Sequence, residues 1–148
     1  RRALALALAA QGKNDEALAQ YAAVIEAAPE DHESLYQMAV LERLLGKTPQ
    51  AIEHFEAALD VKDDPVYADE LARTYMQAGR YSDAVAKWQM VLDAGGLDEA
   101  GQAGIHAAMA DAYEGAREYD RARESLEQAV FLLPNDENLK ARLEAYED

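Results

Sequence analysis

The chain has 148 residues, half of them apolar, which suffices for one ordinary domain with a continuous core and excludes a disordered tail. It has no cysteine, so disulfides, thiolate metal sites and cysteine nucleophiles are excluded. Fourteen Lys and Arg against 29 Asp and Glu leave a formal charge of −15, spread along the whole length, which repels phosphate backbones and anionic membrane surfaces and argues against nucleic acid as a partner.

Residues 1–31 open on the Leu/Ala alternation Ala3 to Ala10, far short of the roughly 20 residues that span a bilayer, so no membrane insertion is expected. No cleavage site follows it and no Met precedes it, so the segment reads as cut from a longer chain rather than as a signal peptide. Leu4, Ala5 and Leu8 predict a first helix, Gly12 a turn, and Ala17, Tyr21 and Val24 one face of a second helix, which Pro29 stops. Residues 32–64 repeat this plan with Met38, Ala39 and Glu42, then Gly46, then Ala51, Phe55 and Ala58, closed by Asp63-Asp64-Pro65. Thr48-Pro49 and Asp64-Pro65 are expected to place a capping acceptor before a proline in the first helical turn. Residues 65–98 carry Leu71, Ala72 and Tyr75, Gly79, and Ala84, Trp88 and Val91, ending at Gly95-Gly96. Residues 99–136 begin with an insertion, Glu99-Ala100-Gly101-Gln102, which either lengthens the next helix by a turn or forms a loop. Met109, Ala110 and Tyr113 follow, then Arg117 where the other copies have glycine, then Ala122, Leu126 and Ala129, and Pro134. In residues 137–148, Leu139, Leu143 and Tyr146 make an i, i+4, i+7 stripe, which predicts a capping helix with a polar outer face.

The repeated alanines Ala17, Ala51, Ala84 and Ala122 lie 34, 33 and 38 residues apart. Two amphipathic helices joined by a short turn cannot bury their apolar faces alone and must stack on the next pair, so the expected class is all-α, as a single repeat domain over residues 1–148. The spacing of glycine, alanine, large aromatic, small residue and proline resembles the tetratricopeptide-repeat (TPR) family over essentially the whole chain. The resemblance implies a right-handed superhelical solenoid of antiparallel helix pairs, about four repeats plus a C-terminal capping helix. The departures are Ala for a family glycine in all four copies, Glu42 for an aromatic, and Arg117 for the turn glycine, which puts the local turn near Gly115 in question. The alanine-rich, cysteine-free style is similar to bacterial members, and the cytoplasm and periplasm are allowed equally.

Motifs for chemistry fail one by one. Gly46-Lys47-Thr48 matches the tail of a phosphate-binding loop, but Leu41 stands where its first glycine belongs. His32-Glu33 opens like a zinc-protease helix, with Tyr36 in place of the second histidine. His54 and His106 lack companion ligands, and Asn135-Asp136-Glu137-Asn138 lacks the glycine and glutamate of a calcium loop. No serine lies in a nucleophile motif. The sequence therefore predicts no enzyme, no catalytic residue, no metal and no cofactor.

By resemblance, the first helix of each copy lines an inner groove that holds a peptide or protein segment. Its stripe runs through Arg2, Leu6 and Ala9, then Tyr36, Val40 and Arg43, then Asp69, Arg73 and Met76, then Ala107, Asp111 and Glu114. Apolar anchors beside guanidinium groups suit peptide binding. Leu6, Val40, Arg73 and Asp111 stand where family members that clamp a chaperone tail use asparagine, so that ligand is not expected. The charge order, basic at Arg2, Arg43 and Arg73 and acidic at Asp111 and Glu114, predicts a mixed-charge ligand, acidic toward the N-terminal repeats. Alternatives are self-association through repeat ends and service as the regulatory domain of a larger enzyme.

Overall fold

In the computed structural model, which describes residues 1–147, the chain forms nine α-helices and, among those residues, no strand. The helices group into two units, Arg1–Ala78 and the residues from Gly79 on.

The first unit holds α1 (Arg2–Ala10), α2 (Asn14–Ala27), α3 (His32–Leu44), α4 (Thr48–Val61) and α5 (Pro65–Gln77). α1 with α2, and α3 with α4, are hairpins whose turns are set by Gly12 and Gly46, at φ 77° and 78°. In each turn the next amide closes a Schellman bond, Lys13 N–H to the Leu8 carbonyl at 2.9 Å and Lys47 N–H to the Glu42 carbonyl at 2.8 Å. A side chain at Gly46 would meet open space, so glycine is needed there for its backbone conformation alone. The repeated alanines Ala5, Ala17, Ala39 and Ala51 are fully buried, and Tyr21 and Phe55 fill the space between helices that approach closely at those alanines. Ala5, Ala17, Tyr21 and Leu41 form one core cluster, and Leu35, Ala58 and Tyr67 another.

Two of the unit's helix starts are capped by aspartate. Asp31 accepts the Ser34 amide at 3.2 Å, and Asp64, as its place before Pro65 predicts, accepts the Val66 amide at 2.9 Å. Thr48 does not cap: it is itself the first residue of α4, behind Lys47, and makes no capping bond. With Pro49 in the same first turn, the helix begins one residue earlier than the capping pattern implies.

The second unit holds α6 (Tyr81–Ala94), α7 (Glu99–Gly115), α8 (Tyr119–Leu132) and α9 (Glu137–Glu144). The insertion at 99–102 extends a helix: α7 runs 17 residues from a cap at Asp98, which accepts the Gly101 amide at 2.7 Å. The turn after α7 keeps its Schellman geometry without glycine. Arg117 takes the left-handed backbone itself, at φ 63°, and Glu118 N–H reaches the Tyr113 carbonyl at 2.8 Å. Gly115 serves a different purpose, because a Cβ there would fall 2.5 Å from the Tyr81 ring of α6. Ala110, Ala122, Leu126 and Ala129 are fully buried, and α9 brings Leu139 and Leu143 onto this cluster, as the capping stripe predicts, while Tyr146 packs on it from the turn after the helix, which ends at Glu144, short of the stripe's last member.

Candidate functional site

The residues of the sequence-derived stripe divide between the two units. In the first, Arg2, Leu6, Tyr36, Val40, Arg43, Asp69, Arg73 and Met76 lie on the first helices α1, α3 and α5. In the second, Asp111 and Glu114 lie on α7.

Two adjoining hollows open on the first unit. One, of about 430 Å³, is lined by Arg2, Leu6, Tyr21, Glu33, Tyr36 and Tyr67, with Ala3 and Gln37. The other, of about 300 Å³, is lined mainly by Leu6, Ala9, Val40, Leu41, Leu44 and Leu45, with Asn14, Tyr21 and Gln37. Leu6, Tyr21 and Gln37 belong to both. Leu6 and Leu44 are 54% and 73% exposed, so apolar surface is held open here rather than spent on the core.

Two tyrosines of the first hollow, Tyr36 and Tyr67, belong to a column of rings. Tyr36 stacks on Tyr67 with centroids 4.7 Å apart and planes at 22°, and its other contact is the tilted ring of Phe55 at 5.8 Å. Tyr67 is fixed at its hydroxyl by His32 Nδ1 at 2.7 Å. Burial raises the Tyr36 phenol above its ordinary value, and the Glu70 carboxylate raises it further against the opposing Arg43. Burial also raises Tyr67, with Asp64 and Glu33 adding to it.

The arginines of the stripe are not free. Arg2 Nη1 lies 3.0 Å from both Asp31 Oδ1 and Glu33 Oε2. Burial opposes ionisation of Asp31, but the Ser34 amide and hydroxyl and the Arg2 guanidinium outweigh it and hold its carboxyl below the usual value. Arg43 Nη2 meets Glu70 Oε2 at 2.7 Å, with the two side chains only 18% and 22% exposed. Arg73 pairs within α5 to Asp69 at 3.3 Å, and Asp69, Arg73 and Met76 lie outside the two hollows. In the second unit, Asp111 and Glu114 both receive Arg142 of α9, at 2.7 and 2.6 Å.

The structure thus brings Arg2, Leu6, Tyr36 and Val40 together around the hollows and engages Arg43, Asp111 and Glu114 in internal ion pairs. Sequence reasoning missed Glu33, Gln37, Tyr67 and Leu44; Tyr21, expected on a packing face, is buried and borders both hollows from beneath. A stripe one residue wider would have found some of them, since Ala3 and Gln37 lie two residues before the repeated alanines Ala5 and Ala39. Among the described residues no three His, Asp or Glu side chains are arranged to hold a metal ion, and no helix is long and apolar enough to cross a membrane.

Comparison with known proteins places the fold. The chain resembles MamA 41-end from Desulfovibrio magneticus RS-1 at 22% identity and TM-score 0.78, over 96% of this chain and 78% of that one. It also resembles a tetratricopeptide repeat protein from Parabacteroides merdae at 19% identity and TM-score 0.77, over 96% of this chain and 54% of that one. A chain of the APC/C hetero-tetramer Cut9–Hcn1 is similar at 22% identity and TM-score 0.62, over 94% and 28%. No curated protein matches the chain by sequence. The tetratricopeptide-repeat model matches residues 2–68 and again 70–137. With nearly its whole length covered by that repeat and its helices paired and turned as described, the chain belongs to the tetratricopeptide-repeat family.

Proposed function

We propose that the chain is a non-catalytic protein-interaction scaffold that holds a segment of a partner protein against α1, α3 and α5. The observation that carries this reading is the pair of adjoining hollows, in which Leu6, Val40 and Leu44 keep apolar surface open to a ligand beside partly exposed Tyr36. Open apolar anchors with aromatic and guanidinium neighbours are what an interface hot spot requires. Family membership supports the reading, as does the likeness to a chain that occurs in a hetero-tetramer.

Leu6→Asp and Leu44→Asp test it, because both side chains are more than half exposed and their loss leaves the core intact. Proteins captured by the wild-type chain should be lost with either variant while the helical circular dichroism is unchanged. Capture that is indifferent to both changes refutes the assignment. Self-association is the second reading, favoured by Leu4 and Phe131 at 50% and 81% exposure. Light scattering over a range of concentrations decides it, since a constant monomer mass removes it.

A further inference from the structure

Granting the scaffold reading, on which this rests, we infer that the hollow around Leu44 and Leu45 seats an aromatic side chain of the partner segment. At the corresponding place in the second unit the chain supplies such a ring itself.

The repeat allows the seams between copies to be compared position by position. Where the second helix of one copy starts, beside the end of the next copy's first helix, the chain places Asn14 with Leu44 and Leu45 in the first unit and Tyr81 with Gly115 and Ala116 in the second. The places are the same, since Asn14 and Tyr81 lie three residues before Ala17 and Ala84, and Leu44 and Gly115 lie five after Ala39 and Ala110. In the second unit the Tyr81 ring rests on the end of α7, where a Cβ at Gly115 would fall 2.5, 2.6 and 3.0 Å from three of its carbons. In the first unit Asn14 supplies no ring, and Leu44 and Leu45 are left 73% and 37% exposed. At the seam between α4 and α5 the same positions are Thr48, Gln77 and Ala78, which offer neither a ring nor a large apolar surface. The uncovered leucines are therefore particular to the seam of α2 and α3.

Charge then narrows the occupant. None of the residues that line this hollow is charged, although the chain as a whole carries −15. A ligand ammonium or carboxylate would lose hydration there and gain no counterion. An uncharged ring covers the leucines with a broad, rigid apolar face, and Asn14 or Gln37 can accept a hydrogen bond from the hydroxyl of Tyr or the N–H of Trp. Among apolar side chains, a ring is the one that the fold itself packs at this seam.

Selection of a phage-displayed random peptide library on the immobilised 148-residue chain tests this, followed by fluorescence anisotropy of the enriched peptides. Enriched peptides should carry Phe, Tyr or Trp, and changing that residue to Leu should weaken binding roughly tenfold. Asn14→Tyr gives the first unit the side chain that Tyr81 and Tyr119 place at the same position, so it should close the hollow and weaken the same peptides roughly tenfold. Asn14→Ser should leave them within about twofold. Because two copies already fold with tyrosine there, lost binding with unchanged helical circular dichroism reports occlusion rather than unfolding. Peptides without an aromatic residue, or aromatic ones that bind Asn14→Tyr as well as the wild type, overturn the inference, and their loss with Leu6→Asp would leave the scaffold reading standing. Self-association that competes with the peptides and disappears with Leu44→Asp gives the seam to a second copy and also overturns it. A library that yields no binder sensitive to Leu6→Asp or Leu44→Asp overturns both readings.

Discussion

Glu42 stands where the other copies place Leu8, Tyr75 and Tyr113, and it is 4% exposed, so a carboxylate occupies a core position of the second repeat. Its partner is His54 of α4, with Nδ1 2.6 Å from Oε1 and a side chain 23% exposed. Removing one member of a buried charged pair costs about 3–5 kcal/mol, because the other is left uncompensated. His54→Leu strands the more deeply buried Glu42 and should cost about 3 kcal/mol, the low end of that range, since His54 is open enough to admit water. Replacing both groups removes the desolvation together with the attraction, so the Glu42→Leu/His54→Leu double variant should return to within about 1 kcal/mol of the wild type or exceed it. The pair also has a pH signature. The Glu42 hydrogen bond raises the His54 value above its ordinary 6.5, against burial, and the charge of Glu42 adds to it. A histidine with a raised folded value contributes stability that is complete below about pH 6.5 and is lost as pH rises through the folded value. His106, whose value burial lowers, responds in the opposite sense but is present in both proteins and cancels in their difference. Urea denaturation followed at 222 nm, from mildly acidic to mildly alkaline pH, measures both effects. The wild type should lose stability relative to the double variant as pH rises above about 6.5. A pH-independent difference, or a His54→Leu cost below about 1 kcal/mol, would refute the account.

Two further substitutions probe the turns. Arg117 bears the left-handed backbone that glycine bears in the other turns, so Arg117→Gly should stabilise the chain by about 0.5–1 kcal/mol, the relief of a penalty of about 1–2 kcal/mol less the entropy that glycine loses on folding; urea midpoints measure it. Gly115→Ala should destabilise by about 1 kcal/mol, since overpacking against the Tyr81 ring outweighs the gain in helix propensity, and the same change in a Tyr81→Ala background should stabilise; a loss in both backgrounds would show that the ring contact is not the cause.

What the sequence revealed follows from the range of each interaction. The helices, the buried alanines, the large core residues Tyr21, Phe55, Trp88 and Leu126, and the capping stripe are all written in local periodicity, and every one of these side chains is at most 2% exposed apart from the cap. Asp64 was legible as a cap because its acceptor and its target amide are two residues apart. Thr48 was misread because the same local pattern is compatible with starts that differ by one residue, and the difference is settled by backbone angles. Arg117 was legible as an anomaly, but whether the turn would shift or the arginine would accept strain depends on Glu118 and Tyr113 closing the same bond as in the glycine turns.

The candidate site was less legible, for a reason specific to repeats. A residue on one first helix faces the first helix of the next copy, so Arg2 meets Asp31 and Glu33, Arg43 meets Glu70, and Arg142 meets Asp111 and Glu114, each across about one repeat length. A stripe read copy by copy records which charges line a surface and not which of them are already answered by the neighbouring copy. Once those pairs are assigned, Arg43, Asp111 and Glu114 are spent on contacts within their own units, and the large apolar side chains left exposed at the hollows are those of Leu6, Leu44 and Leu45.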